Sequence, residues 1–341
     1  MTMAIADTRP DTSALKAVAH FRSPIGFTAT LNLGAAFMIY FTITIAIALC
    51  IDGDFPTDSR ILFLVILYPV AGLGIAKIFT IQHDCGHGSY FADQSTNRLL
   101  GRLCSIVTFV PFTAWKEEHR EHHMSFGNLD RQTFGDVRLL TVEEFKNASM
   151  GRRFHYRVFR NPAFLLLVAP LAYALLRQRV PSAVTAARIW SCVLHSIVVC
   201  AIYGTLLYYN GSSMLFVGVP SLYIAGVIAV IVFVVEHQFE DTHWDHSENW
   251  NFLNAAVASS SYLALPPVLE WFTGSIGYHH IHHLNPAIPS YRLKECFTSL
   301  GDRLPNKKIT LGSIPKNLRF ALWSHEKKKL VTFREAQLLK S

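Results

Sequence analysis

The stretch "MLFVGVPSLYIAGVIAVIVFVV", residues 214–235, runs for 22 residues without a charged side chain. A bilayer core is about 30 Å thick, so roughly 20 apolar residues of helix are needed to cross it. Three more runs reach this size. Residues 28–51 hold no charge, 189–210 hold only His195, and 61–82 hold only Lys77. Four membrane-spanning helices are therefore predicted. The composition agrees: 51% of the 341 residues are hydrophobic and 16% charged, whereas an average soluble domain is about 25% charged. Shorter apolar runs at 99–115, 162–176 and 252–272 are interrupted or too brief to span, and read as interfacial or re-entrant pieces. The expected fold is all-α: a polytopic membrane protein with four transmembrane helices, interfacial or re-entrant helices, and a cytoplasmic histidine-rich cap.

Apolar runs are spread along the chain and no linker rich in Pro, Gly or Ser divides it, so one integrated unit is expected over 28–295. A short N-terminal arm, 1–27, and a basic tail, 296–341, flank it. The arm has no apolar core with a cleavage site, so no secretory signal peptide is expected. Lys and Arg accumulate on the cytoplasmic side of membrane proteins. The segment 83–181 carries thirteen of them and the chain from 237 onward carries twelve, whereas 51–59 and 211–213 carry none. Both termini and the central segment are therefore expected in the cytoplasm, as in a multi-pass membrane protein. The net charge of +7 then faces anionic lipid headgroups or an acidic protein partner. With no separate basic domain, nucleic acid is not an expected partner. The six cysteines form no C-x-x-C pair and read as small buried hydrophobes.

Three histidine clusters punctuate this scaffold: "HDCGH" at 83–87, "HREHH" at 119–123 and "HHIHH" at 279–283. Residues three and four apart share a helix face. His83 with His87, His119 with His122 and His123, and His279 with His282 and His283 thus make three imidazole faces. The first cluster follows the second span, the second precedes the third, and the third follows the fourth, so all three meet one side of the membrane. One tetrahedral zinc takes about four ligands, and eight imidazoles exceed what one ion uses. Two metal ions fit better. Imidazole binds zinc, copper, iron and nickel alike, but oxygen chemistry on an unactivated chain at a lipid-fed surface needs a redox metal, which argues for iron. A metal transporter would carry ionisable residues within its spans, and two of these spans have none. A zinc protease of the H-E-x-x-H type is not indicated, because the sole "HE" is His325-Glu326 before a lysine run.

The stretches "HDCGHGSYF", "HREHHMSFGNLDRQTFGDV" and "GYHHIHHLNPAIPSY", in this order, resemble the three histidine boxes of the membrane fatty acid desaturases. The text around the second box and "EHQFEDTHW" at 236–244 look most like bacterial desaturases related to the Δ12 (omega-6) type. The resemblance covers about residues 60–295. It implies an O2-dependent acyl desaturase acting on a membrane lipid or an acyl carrier. It further implies two non-haem Fe ions held by His83, His87, His119, His122, His123, His279, His282 and His283. A ninth ligand is expected just after the last span; His237 is preferred there over His243 and His246. A hydroxylase or ketolase of the same superfamily is the nearest alternative, because the box residues do not separate these outcomes; a membrane metal-binding or transport protein is the alternative of another class.

No G-x-G-x-x-G, Walker loop or His-Pro-Gly-Gly element is present, so the electrons are expected from a separate ferredoxin, rubredoxin, or cytochrome b5 with its reductase. Metal-bound imidazoles usually donate their second N–H to a carboxylate or carbonyl. Asp84, Glu118, Glu121, Asp130, Asp136, Glu236, Glu240 and Asp241 lie close enough in sequence, with Asp136 and Glu240 preferred. Asn285 is expected to bind a water or a headgroup. Lys77 is expected to snorkel to the interface or meet a lipid phosphate. His280 falls off the ligand face, His195 reads as a satisfied or pore-facing histidine, and His20, His155 and His325 read as surface residues.

Overall fold

Four helices in the computed structural model are long and apolar enough to cross a membrane: Gly26–Asp52, Thr57–His87, Ala186–Asn210 and Ser213–His237. The residues described are 12–132, 138–180, 185–304 and 306–339. Each span matches a charge-poor run of the sequence but starts earlier, and three of the four end later. The largest extension is in the second span, which continues from Gln82 to His87 and carries the first histidine cluster on its last turn. Its end is set by Gly88, whose φ of +70° is a left-handed conformation that glycine adopts without a Cβ penalty. The Gly88 N–H closes the helix by donating to Cys85 O at 3.1 Å. The fourth span likewise runs on to His237, two residues past the apolar run.

The second span is the centre of the bundle, packed against the first and fourth spans and against the helix Gln94–Thr108. That helix is capped by Asp93, whose Oδ2 accepts from Thr96 N at 2.6 Å. A turn through Phe109 and Pro111 then leads into the helix Phe112–Ser125, which carries the second cluster. The third span anchors this helix from the side. Arg188 is buried and pairs with Glu117 at 2.7 Å and with Glu121, and Ala114 N donates to Ser191 Oγ at 3.2 Å. The short helix His279–Leu284 carries the third cluster and packs against Phe252–Ala258 and Ser290–Leu300.

The shorter apolar runs are broken, as expected. Residues 162–175 form two short helices, Pro162–Leu167 and Ala169–Leu175, and 252–272 form two helices separated by a strand. Five strands of two or three residues, among the described residues, depart from the all-α expectation. Leu322–Ser324 pairs in parallel with Leu140–Thr141 and antiparallel with Lys329–Val331, while Lys308–Thr310 pairs in parallel with Tyr262–Ala264. The C-terminal segment is thereby stitched onto the central one. Such pairings join distant parts of the chain and leave no long period-2 signature in strands this short.

The candidate metal centre

The second and fourth spans pack against one another and end at His87 and His237, where histidines of the helices 112–125 and 279–284 meet them. Nine imidazoles converge there. His83, His87, His119, His123 and His282 form one group and His122, His237, His279 and His283 a second; within each group one nitrogen per ring lies within 4.8 Å of the others. These nine are the histidines singled out from the sequence, including His237. His243 and His246 lie elsewhere: His243 Nε2 is 3.8 Å from Asp245, and His246 Nδ1 is 2.8 Å from Asp130. Boxes two and three are each divided between the groups in a way their spacing does not reveal, whereas His83 and His87 of box one stay together. His122 faces one group while His119 and His123 face the other, and His282 parts from His279 and His283. The groups adjoin, with the stacked rings of His123 and His283 only 4.2 Å apart between centroids.

Distances between nitrogens test whether cations fit. His119 Nε2 lies 2.9 Å from His83 Nε2 and 3.0 Å from His123 Nε2, which is 3.1 Å from His282 Nε2. In the other group His237 Nε2 lies 3.1 Å from His122 Nε2 and 3.0 Å from His279 Nε2, which is 3.1 Å from His283 Nε2. A neutral ring nitrogen carries either one proton or one lone pair. The shared nitrogens of His119, His123, His237 and His279 therefore cannot each serve two straight hydrogen bonds. His87 Nε2 is buried with no hydrogen-bond partner. Two nitrogens bound at right angles to one ion at about 2.1 Å would sit about 3 Å apart, which is the spacing found. The donor set fits metal ions better than it fits itself.

Protonation states agree. Burial, reinforced by the neighbouring imidazoles, holds His119, His123, His279, His282 and His283 well below the usual histidine range. The rings are therefore neutral at pH 7, the form that binds metal.

Around the rings, Asp84 Oδ1 lies 3.2 Å from His83 Nδ1 while its Oδ2 accepts from Ser290 N at 2.7 Å. Glu236 Oε2 lies 3.1 Å from His279 Nδ1, and both groups are buried. Ser259 O is 3.5 Å from His237 Nδ1. Trp115 stacks on His119 at 4.6 Å, and Phe126 lies 3.9 Å from His237. The preferred carboxylates fare differently. Glu240 is bound by Lys316 and Lys329 at 2.6 Å each, so its charge is engaged by the C-terminal segment and not by an imidazole. Asp136 lies outside the described residues. Asn285 turns its Oδ1 back to its own loop, accepting from Ala287 N at 3.3 Å. Glu236, named among the eight sequence candidates but not preferred, stands beside His237 on the helix, which directs it to the adjoining face, toward box three. Trp115 also had a signal, standing one turn before His119 on the same helix face.

Lys77 is buried with its ammonium 4.7 Å over the Trp271 ring. It does not snorkel, because the helix Pro267–Phe272 covers it and offers an aromatic face instead. His195 is satisfied by Ser105 O at 2.8 Å and is 2.9 Å from Arg179. His280 is fully buried beside Phe297, off the ligand face. Five cysteines are buried and Cys200 is exposed.

Fold and site together define a helical membrane protein with a buried, histidine-lined, metal-capable centre at one end of its spans. A model of the family described as fatty acid desaturase matches residues 59–315. The chain is 34% identical over 321 residues to a fatty acid desaturase of Bacillus subtilis (strain 168), covering 94% of this chain and 90% of the relative. It is 25% identical over 243 residues to the sn-1 acyl-lipid omega-3 desaturase (ferredoxin) of Nostoc sp. (strain 36), covering 68% and 66%. With a Delta(12) fatty acid desaturase of Caenorhabditis elegans it shares 24% over 263 residues, covering 71% and 66%. The chain belongs to the fatty acid desaturase family, and the resemblance read from its histidine boxes is borne out.

Proposed function

We propose that this enzyme forms a double bond in a fatty acyl chain of a membrane lipid or acyl carrier at a centre of two non-haem irons. His83, His87, His119, His123 and His282 would hold one iron, and His122, His237, His279 and His283 the other. The observation that carries the reading is the division of nine buried imidazoles into two adjoining groups with nitrogens at coordination spacing. When bound, the irons supply the redox chemistry that lets O2 attack an unactivated C–H bond. Each double bond takes two hydrogens from adjacent carbons. With two protons and two electrons, these reduce one O2 to two waters.

The chain's own residues prepare this. Glu236 places its carboxylate 3.1 Å from His279 Nδ1, and Asp84 draws the Nδ1 proton of His83 outward, which leaves its Nε2 lone pair aimed inward. Ser259 O does the same for His237. Trp115 and Phe126 cover the ring faces with apolar surface and exclude water. The spans end at the centre, so an acyl chain reaches it from the lipid side without crossing bulk water. Electrons come from a separate carrier such as a ferredoxin, rubredoxin or cytochrome b5, and the protein sits in a bacterial inner membrane with the centre and both termini cytoplasmic, as the Lys and Arg distribution supports.

Lipid profiling of a host expressing the wild type beside His122→Ala tests the reading. New unsaturated acyl chains are expected with the wild type and lost in the variant. Identical profiles in both, with iron and an electron donor supplied, would refute it, and new hydroxy or keto acids would replace desaturation by the superfamily alternative.

A further inference from the structure

We propose that the lysine-tipped hairpin around residues 325–329 is the docking point of a small acidic one-electron carrier protein, and that Trp244 and Phe126 lead its electrons to the centre. This rests on the desaturase reading above. The aromatic contacts are continuous. Phe126 lies 3.9 Å from the ring of His237 and 4.9 Å from Trp244 between centroids. One ring, that of Phe126, therefore connects Trp244 to an imidazole of the four-histidine group. Trp244 is buried and its indole N–H has no hydrogen-bond partner. A buried N–H without a partner carries a free-energy cost. Packing alone does not require that cost, since a phenylalanine would fill much of the space without it.

The hairpin sits directly on this pair. Its strands contribute Trp323 and Leu330 to the same apolar cluster as Phe126 and Trp244. Beside its tip, His325 stacks on His246, two residues from Trp244, at 5.3 Å and 12°. At the tip, Lys327 and Lys328 are exposed, and Lys328 holds a turn conformation with φ +51°. Lys329 is already engaged by Glu240. Exposed Arg138 and Arg319 adjoin Leu139 and Phe320 of the cluster. On the anionic side, Glu326 and Glu248 are exposed, Asp245 is half-buried beside Trp244, and Asp130 is engaged by His246. At the hairpin Lys316, Lys327, Lys328 and Lys329 outnumber Glu240 and Glu326, so its tip is net positive and matched to an acidic carrier. Each docking passes one electron, the carrier leaves oxidised by one electron, and two dockings supply one double bond.

An acidic [2Fe–2S] ferredoxin serves as the probe, with iron-loaded enzyme in nanodiscs. Lys327→Glu combined with Lys328→Glu is expected to weaken ferredoxin binding about tenfold at low salt, and far less at 1 M salt, where charges are screened beyond about 3 Å. Trp244→Leu is expected to slow ferredoxin reoxidation at saturating ferredoxin, and Trp244→Phe to restore most of the rate, with iron content measured in each preparation. Unchanged affinity in the double variant at low salt overturns the docking site by itself. A wild-type rate in iron-replete Trp244→Leu overturns the route. Wild-type enzyme reduced with dithionite, freed of the excess and then given O2 for a single turnover keeps the two readings apart: no unsaturated product there sinks the desaturase reading, whereas product formation alongside unchanged ferredoxin affinity sinks only the docking proposal.

Discussion

Asp84→Asn is a near-isosteric change whose effect follows from two distances. Asp84 accepts on both oxygens, one 3.2 Å from His83 Nδ1 and the other 2.7 Å from Ser290 N. An asparagine presents one acceptor and one donor. With its oxygen toward Ser290, its NH2 faces His83 Nδ1 and drives the ring proton to Nε2, where it blocks coordination. With its oxygen toward His83, two N–H donors face each other at Ser290 in a buried site, which costs about 1–3 kcal/mol. Loss of such an orienting partner typically weakens metal binding about 10–100-fold, equivalent to about 1.4–2.8 kcal/mol. The deficit belongs to the five-histidine group alone, because Asp84 touches no ring of the other. Competition of iron-loaded protein against a graded series of chelators measures it. The wild type is expected to lose iron in two comparable steps, and Asp84→Asn to lose one equivalent early and the second as in the wild type. Two unshifted steps, or an equal shift of both, would refute the assignment of Asp84 to one group.

Two further outcomes follow from the packing and the protonation states. The five rings held neutral by burial and by one another take up protons more readily when unfolded, where the histidine pKa is about 6.5. Below that pH the unfolded state binds more protons than the native one, so stability rises with pH in this window and is lost as pH falls. Chelator-stripped protein in detergent should show a falling Tm from pH 7.5 to 5.5, and a flat Tm would contradict the burial of neutral imidazoles. In Gly101→Ala the added methyl group would overlap the ring of Phe112 at the start of the box-two helix. Overpacking of this kind costs about 1–3 kcal/mol, more than the helix propensity gained from replacing glycine, so a higher Tm in the variant would disprove the close approach of the two helices.

The four spans were legible because apolar length is a local property: about 20 residues without charge either fit the bilayer or do not. Their ends were not, since His83, His87 and His237 continue the helices only where partners from elsewhere bury them. The imidazole faces were legible for a related reason, because spacing of three and four residues places side chains together on any helix. How the nine rings divide was decided by tertiary structure. The helix 112–125 turns His122 toward one group and His119 and His123 toward the other, and only the crossing of four helices makes that division. The same holds for the carboxylates. Asp84 and Glu236 reach ring nitrogens, whereas Glu240, equally close in sequence, is taken by lysines more than 70 residues away in the C-terminal segment. Lys77, read as an interfacial lysine, lies under Trp271 for the same reason. Periodicity and spacing report which side chains share a face, but which face meets which depends on contacts between residues far apart in the chain, and those exist only once it has folded.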